Sequence, residues 1–453
     1  MTKDKNFYKT FFRLLVIISL QNIVVYAVNL ADNVMIGAYS ETSMAGVALV
    51  NQIQFLLQML SMAVGEGAVV IASRFWGKKD TAPIKDVAAL SMWLGLVIAA
   101  VIWAVVFFFP QGVLSLFSGN EAEISEGVRY MRIVCFTYIF FMMSSVLLAV
   151  MRSVETVVIG FVVSVIAFFV NVGLNRCLIF GWMCFPEMGV EGAAIATLIS
   201  RVVEFLIVFI YVLFVDKKVR LKVGSFFRTD KRIFRNYMKV TYPMLLSYTS
   251  WGVAMSVQLA VLGHLSVSGP ESVVAASSIA NTLFSVVSVA CYGAASASSV
   301  MIGKTIGQGK TDKLKEYSRS FQILFIAIGL FTGALLFFSK GFVLSFYEVL
   351  PETAVLAESF MDILSVTVVG TSYQVACLTG ILRGAGDTRF VLFNDLIWMW
   401  VIVLPVSVLA GFVFNLSPVI VFICLKSDQI TKCFVALFKV NGSGWIKKCM
   451  INI

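Results

Sequence analysis

An aspartate at position 32 lies in the run Asn29-Leu-Ala-Asp32-Asn33-Val-Met-Ile-Gly37, with no basic residue close by in sequence. In apolar surroundings such a carboxyl can hold a proton or, given neutral oxygen partners, a small cation. Asn171 and Asn175 are four positions apart and would share one face of a helix. Thr197 offers a hydroxyl. These four residues, Asp32, Asn171, Asn175 and Thr197, form a candidate site for Na+ or H+. Glu66, between Gly65 and Gly67, is a second acid inside an apolar run. It is expected either to face a cavity or to bond to backbone at a loosened helical turn. Arg201 and Glu204 are i,i+3 neighbours expected to neutralise each other, while Arg152 and Arg383 read as capping or snorkelling residues at helix ends.

The elements that must carry these groups follow from composition. The chain has 453 residues, 59% apolar and 13% charged, with a mean hydropathy of +0.93. Soluble domains carry about 25% charged residues, so this surface is too poor in charge to face water. A helix needs roughly 20 apolar residues to cross a bilayer. Runs of that kind occupy 14–31, 42–65, 87–109, 133–151, 156–175, 240–263, 272–303, 321–339 and 363–382. The segment 192–215 is a further span despite Arg201 and Glu204. The run 396–425 is too long for one span and contains Gly411 and Pro418, which divides it into two. The expectation is an all-α membrane protein with twelve transmembrane helices. The first run is long enough to remain a helix rather than be removed as a leader.

The net charge of +10 is distributed as a topology signal, not as a nucleic-acid surface. Basic residues gather before the first span, after the second, between the sixth and seventh, after the eighth and at the C-terminus, whereas the intervening loops are neutral or acidic. By the positive-inside rule both termini are cytoplasmic, in a multi-pass protein of the cell (inner) membrane. Eight cysteines form no CxxC pair and read as small apolar residues. One histidine and dispersed acids do not suggest an enzyme, no P-loop is present and no cofactor is implied.

The basic stretch 217–239 separates six spans from six, giving lobes at 1–216 and 240–453 joined by a cytoplasmic linker. The lobes resemble each other: Arg74-Phe-Trp-Gly77 closes span two as Lys304-Thr-Ile-Gly307 closes span eight, and Arg152 ends span four as Arg383 ends span ten. Six is even, so the repeat is parallel, related by a pseudo-two-fold axis along the membrane normal. Aligning Gly37 with Gly263 puts Gln258 at the place of Asp32, so the carboxylate is expected in the N-terminal lobe alone.

The stretch from Asn171-Val-Gly-Leu-Asn175 through Ile179-Phe-Gly181, Pro186 and Gly189-Val-Glu-Gly-Ala-Ala-Ile-Ala-Thr197 resembles the multidrug and toxic compound extrusion (MATE) family. So do Ala31-Asp32-Asn33-Val-Met-Ile-Gly37, Met44-Ala-Gly-Val47 and Arg383-Gly-Ala-Gly-Asp-Thr388. The resemblance covers essentially the whole chain. It implies a secondary active transporter that expels organic, mainly cationic, amphipathic compounds in exchange for Na+ or H+ and works as a monomer. It also assigns the family's N-lobe aspartate and fifth-helix asparagine to Asp32 and Asn171. The absence of acids from 240–263 places the chain nearer the DinF-like branch. Three departures stand out: Asn175 replaces an expected aspartate, span one has no proline, and Arg152-Ser-Val-Glu155-Thr lacks the glycines of its second-half counterpart. The competing expectation is a lipid-linked oligosaccharide flippase of the same broader fold group, for which Arg176 or Arg201 would have to meet a pyrophosphate.

Overall fold

The computed structural model describes residues 2–182, 185–227, 230–265, 272–345, 347 and 349–451. Cys184 lies outside them. Among the described residues there is no strand, and long helices dominate. They are α1 (Lys5–Tyr39), α2 (Glu41–Gly77), α3 (Ala82–Phe108), α4 (Pro110–Leu114), α5 (Glu121–Val134), α6 (Thr137–Ser153), α7 (Val158–Ile179) and α8 (Gly189–Ile210). The second half holds α9 (Lys231–Gly263), α10 (Val273–Gly307), α11 (Thr311–Leu344), α12 (Pro351–Val375), α13 (Thr388–Leu396), α14 (Leu404–Val408), α15 (Pro418–Lys426), α16 (Asp428–Asn441) and α17 (Gly444–Ile451). Wider π turns extend α8 to Val215 and α12 to Leu382, and join α13 and α14 into one run, Thr388–Val413.

Sequence sets the helix starts. Ser40, Asn120 and Ser272 cap α2, α5 and α10 by accepting backbone N–H groups. Prolines open α4, α12 and α15, where a missing N–H costs nothing.

Ten described helices are long and apolar enough to cross a bilayer, and α5 with α6, bent by 55°, makes an eleventh. The twelfth segment departs from the expected 396–425. Thr388–Val413 takes most of that run, and α15 and α16 continue the chain to Asn441, well past it. Lys426, Asp428 and Lys432 break the apolar pattern there, and their charges are buried against partners rather than exposed: Lys432 Nζ meets Asp428 Oδ2 at 3.1 Å and Asp395 Oδ1 at 3.5 Å.

The helices form two compact units, Leu20–Tyr248 and Met1–Ser19 with Thr249–Ile453. The bounds differ from the expected lobes because the basic stretch 217–239 is not a free linker. Val219, Leu221, Phe226, Ile233 and Tyr237 are buried in the first unit's core, Tyr237 donates to Val64 O at 3.0 Å, and α9 already begins at Lys231. In the second unit Phe360 stacks on Phe422 at 4.1 Å inside its own core. Outward-facing side chains such as Phe169 (68% exposed), Phe331 (69%) and Val101 (59%) belong in hydrocarbon.

The two halves repeat each other in detail. Left-handed residues end α2 at Lys79 and α10 at Gly309, 230 positions apart (309 − 79), and end the α6 and α12 segments at Glu155 and Gly386, 231 apart (386 − 155). In each case the next residue's N–H returns to the last helical turn: Asp80 to Phe75 O, Lys310 to Thr305 O, Thr156 to Met151 O and Asp387 to Leu382 O. The glycine-free ending at Arg152-Ser-Val-Glu155 therefore builds the same cap as its glycine-bearing counterpart.

Candidate functional site

Within Leu20–Tyr248, α1, α7 and α8 bring Asp32, Asn171, Asn175 and Thr197 to one region of the first unit. The i,i+4 spacing works as expected: Asn171 (1% exposed) and Asn175 (0%) share a face of α7. Asn175 Nδ2 donates to Asp32 Oδ1 at 2.5 Å and to Asn171 Oδ1 at 3.2 Å. Both hydrogens of one amide are thus used, and its carbonyl is left over. Asn175 Oδ1 and Asn171 Nδ2 have no hydrogen-bond partner among the described residues, although both are buried. Thr197 Oγ1 donates to Ala193 O, one turn back in α8, at 2.9 Å. That leaves the hydroxyl oxygen able to accept.

Two further side chains shape the field around Asp32. Tyr130, buried on α5, lies close to Thr197 and to Asp32. Its neighbours in sequence give no hint of this, since the link joins separate helices. The Arg201 guanidinium also acts on Asp32 from a distance. Arg201 Nη1 meets Glu204 Oε2 at 2.7 Å and lies over the Phe141 ring at 5.1 Å.

The remaining candidates lie elsewhere. Glu66 Oε1 accepts from Arg152 Nη2 at 2.9 Å, an ion pair that joins α2 to α6. Arg152 is correspondingly an ion-pair partner rather than a snorkelling residue. Gln258 belongs to the second unit, where it is buried and its Nε2 meets Met399 Sδ at 3.3 Å. Arg383, expected at a helix end, is buried and pairs with Asp395 Oδ2 at 3.2 Å.

What such a site can do is limited by its donors. It offers one carboxylate, two amides and a hydroxyl, an all-oxygen set suited to a hard monovalent cation or a proton and not to a soft metal. Among the described residues no group of three or more His, Cys, Asp or Glu is arranged to hold a metal ion.

Comparison with known proteins agrees with this architecture. An uncharacterized transporter, YisQ, of Bacillus subtilis is 25% identical over 93% of this chain and 91% of its own length. A protein described as a probable multidrug resistance protein, NorM, of Thermotoga maritima is 24% identical over 95% and 92%. A transporter of the MOP superfamily from Pyrococcus furiosus superposes with a TM-score of 0.87 at 20% identity, over 98% of this chain and 96% of that one. The MatE family model matches the chain twice, at residues 18–176 and 243–409, once in each half. With both halves matched, the chain belongs to the MatE family of membrane transporters and is not an enzyme.

Proposed function

We propose that this protein is a secondary active multidrug exporter of the cell membrane, exchanging organic cations for Na+ or H+ at Asp32. The observation that carries the reading is the half-satisfied polar cluster at membrane depth. An ionisable group there costs at least about 2.5–3.5 kcal/mol on insertion scales. Asp32 receives one direct hydrogen bond from the described residues, and the amide that supplies it keeps a free carbonyl. A group held only for packing would be fully paired.

A cation reaching Asp32 takes the place of the Asn175 donor. The Asn175 amide then turns its Oδ1 toward the cation, a rotation that breaks nothing on that side because Oδ1 has no partner. The direct Asn175–Asp32 bond between α1 and α7 is thereby exchanged for contacts through the cation, and α1 is the element that moves. Cation uptake from outside favours release of the organic substrate outward, and loss of the cation inward resets α1. One charge moving through 100 mV supplies about 2.3 kcal/mol before any concentration gradient is counted. Organic cations as cargo are in keeping with the relatives described as multidrug resistance proteins. The engagement of Arg201 by Glu204 weighs against pyrophosphate recognition.

The test is gradient-driven ethidium efflux from proteoliposomes with Na+ and pH gradients imposed separately. Asp32→Asn is expected to abolish efflux under whichever gradient drives the parent, with unfolding temperature unchanged. Undiminished efflux from Asp32→Asn overturns the assignment.

A further inference from the structure

The second unit contains a groove of about 700 Å³ that coupling at Asp32 does not use. It is lined by α11, α12 and α16, with α11 and α16 both packed on α12. The α11 wall is the face Arg319, Gln322, Ile323 and Ile326, spaced i, i+3, i+4 and i+7. Phe434 and Leu437 of α16 stand opposite. Ile323, Ile326, Phe434 and Leu437 are each between 42% and 61% exposed on membrane helices, so hydrocarbon is their neighbour.

The polar groups in the wall are already paired. Tyr373 donates to Gln322 Oε1 at 2.7 Å, and the Gln322 and Asn441 amides exchange hydrogen bonds at 3.3 and 3.4 Å. The groove therefore asks for no polar ligand at depth. Its mouth differs. Arg319 is exposed at the basic end of α11, and among the described residues it has no hydrogen-bond or ion-pair partner. Glu316, three positions earlier, does not pair with it, and Lys313 is drawn to Asp4 at 3.7 Å. A free guanidinium above a hydrocarbon-lined channel matches a phosphate carried on acyl chains, because its planar fork binds two phosphate oxygens at once.

We propose that this groove is a binding site for one anionic phospholipid. Its phosphate sits on Arg319 and an acyl chain runs along Ile323, Ile326, Phe434 and Leu437. The choice of an anionic lipid over a zwitterionic one follows from the local charge. Lys315 and Arg319 lie one turn apart, and a choline group would bring a third cation to the same lip.

The test uses the full-length protein in detergent, stripped and then offered phosphatidylglycerol or phosphatidylcholine of matched chains, with retained lipid counted by native mass spectrometry. One phosphatidylglycerol is expected to survive, about fivefold more than phosphatidylcholine, which is the weight of one basic contact at a membrane surface. Arg319→Ala should bring phosphatidylglycerol down to the phosphatidylcholine level, and Leu437→Trp, which fills the groove, should lower both. Because Arg319 is exposed, the lipid-free unfolding temperature of Arg319→Ala should match the parent while its rise on adding phosphatidylglycerol is lost. Equal retention of the two lipids, or full retention by Arg319→Ala, overturns the proposal in favour of annular lipid only. Displacement by glycerol 3-phosphate at equal concentration also overturns it, by showing that the head alone is recognised.

Discussion

Asn175 does more for Asp32 than Asn171 does, although the sequence presents them as equals. Asn175 supplies both amide hydrogens, to Asp32 and to Asn171, whereas Asn171 only accepts. Hydrogen bonds to charged groups are worth about 1.5–3 kcal/mol. Asn175→Leu is therefore expected to cut ethidium efflux at least about tenfold, and Asn171→Leu to cut it less, in the same proteoliposome assay. Equal losses would mean that the amides act through something other than this bond. The pairing of Asp32 with Asn175 was accessible from sequence because helical spacing puts Asn171 and Asn175 on one face. The roles of Tyr130 and Arg152 were not, because each depends on which helices become neighbours. Glu66 shows the consequence. Its partner is 86 positions away, and the pair is only partly exposed, at 25% for the Arg152 side chain and 16% for Glu66. Removing one member of such a pair leaves the other poorly solvated, so Glu66→Ala should destabilise by about 1–3 kcal/mol, and the double variant with Arg152→Ala should recover part of that. Thermal unfolding in detergent reads this directly; simple additivity of the two single changes would rule out a working ion pair.

At the scale of elements, the matched helix endings give a sharper measure of the repeat than sequence identity between halves. Lys79 and Glu155 hold φ of 61° and 58°, where their counterparts Gly309 and Gly386 hold 71° and 83°. A side chain in that left-handed region costs about 1–2 kcal/mol, partly offset by the smaller entropy that a non-glycine residue loses on folding. Glu155→Gly is expected to stabilise by about 0.5–1 kcal/mol, and Gly386→Ala to destabilise by about 1 kcal/mol, both seen as shifts in unfolding temperature. A fall on Glu155→Gly would show that the Glu155 side chain contributes more than its backbone costs. The spans themselves were readable because each is a sustained apolar run. The two departures arise where burial overrides composition. The basic stretch after span six folds onto the first unit because Val219, Leu221 and Phe226 are set among its charges. The last helices pass for a tail because Lys426, Asp428 and Lys432 look like surface residues until Asp395 and Asp428 are seen to pair with Lys432.

At the scale of the whole molecule, the charge of each loop predicts which face of the membrane it occupies. Loops bearing Lys78 and Lys310 are basic, and those bearing Glu121 and Glu352 are acidic. By the positive-inside rule the Glu121 and Glu352 loops are expected outside. All four residues are exposed, so each can be replaced by cysteine and offered a membrane-impermeant maleimide. With Cys184 replaced by serine, the remaining native thiols give a low background, since Cys135, Cys291, Cys377 and Cys449 are buried and Cys177, Cys424 and Cys433 are half-buried. In intact cells Glu121→Cys and Glu352→Cys should label, whereas Lys78→Cys and Lys310→Cys should label only after permeabilisation. One acidic and one basic position come from each compact unit, so the pattern tests both halves of the parallel repeat. If the two units gave opposite patterns the repeat would be inverted. If both were reversed, the expected cytoplasmic placement of the basic loops would fail, whereas exchange at Asp32, whose direction is set by the imposed gradient, would still export.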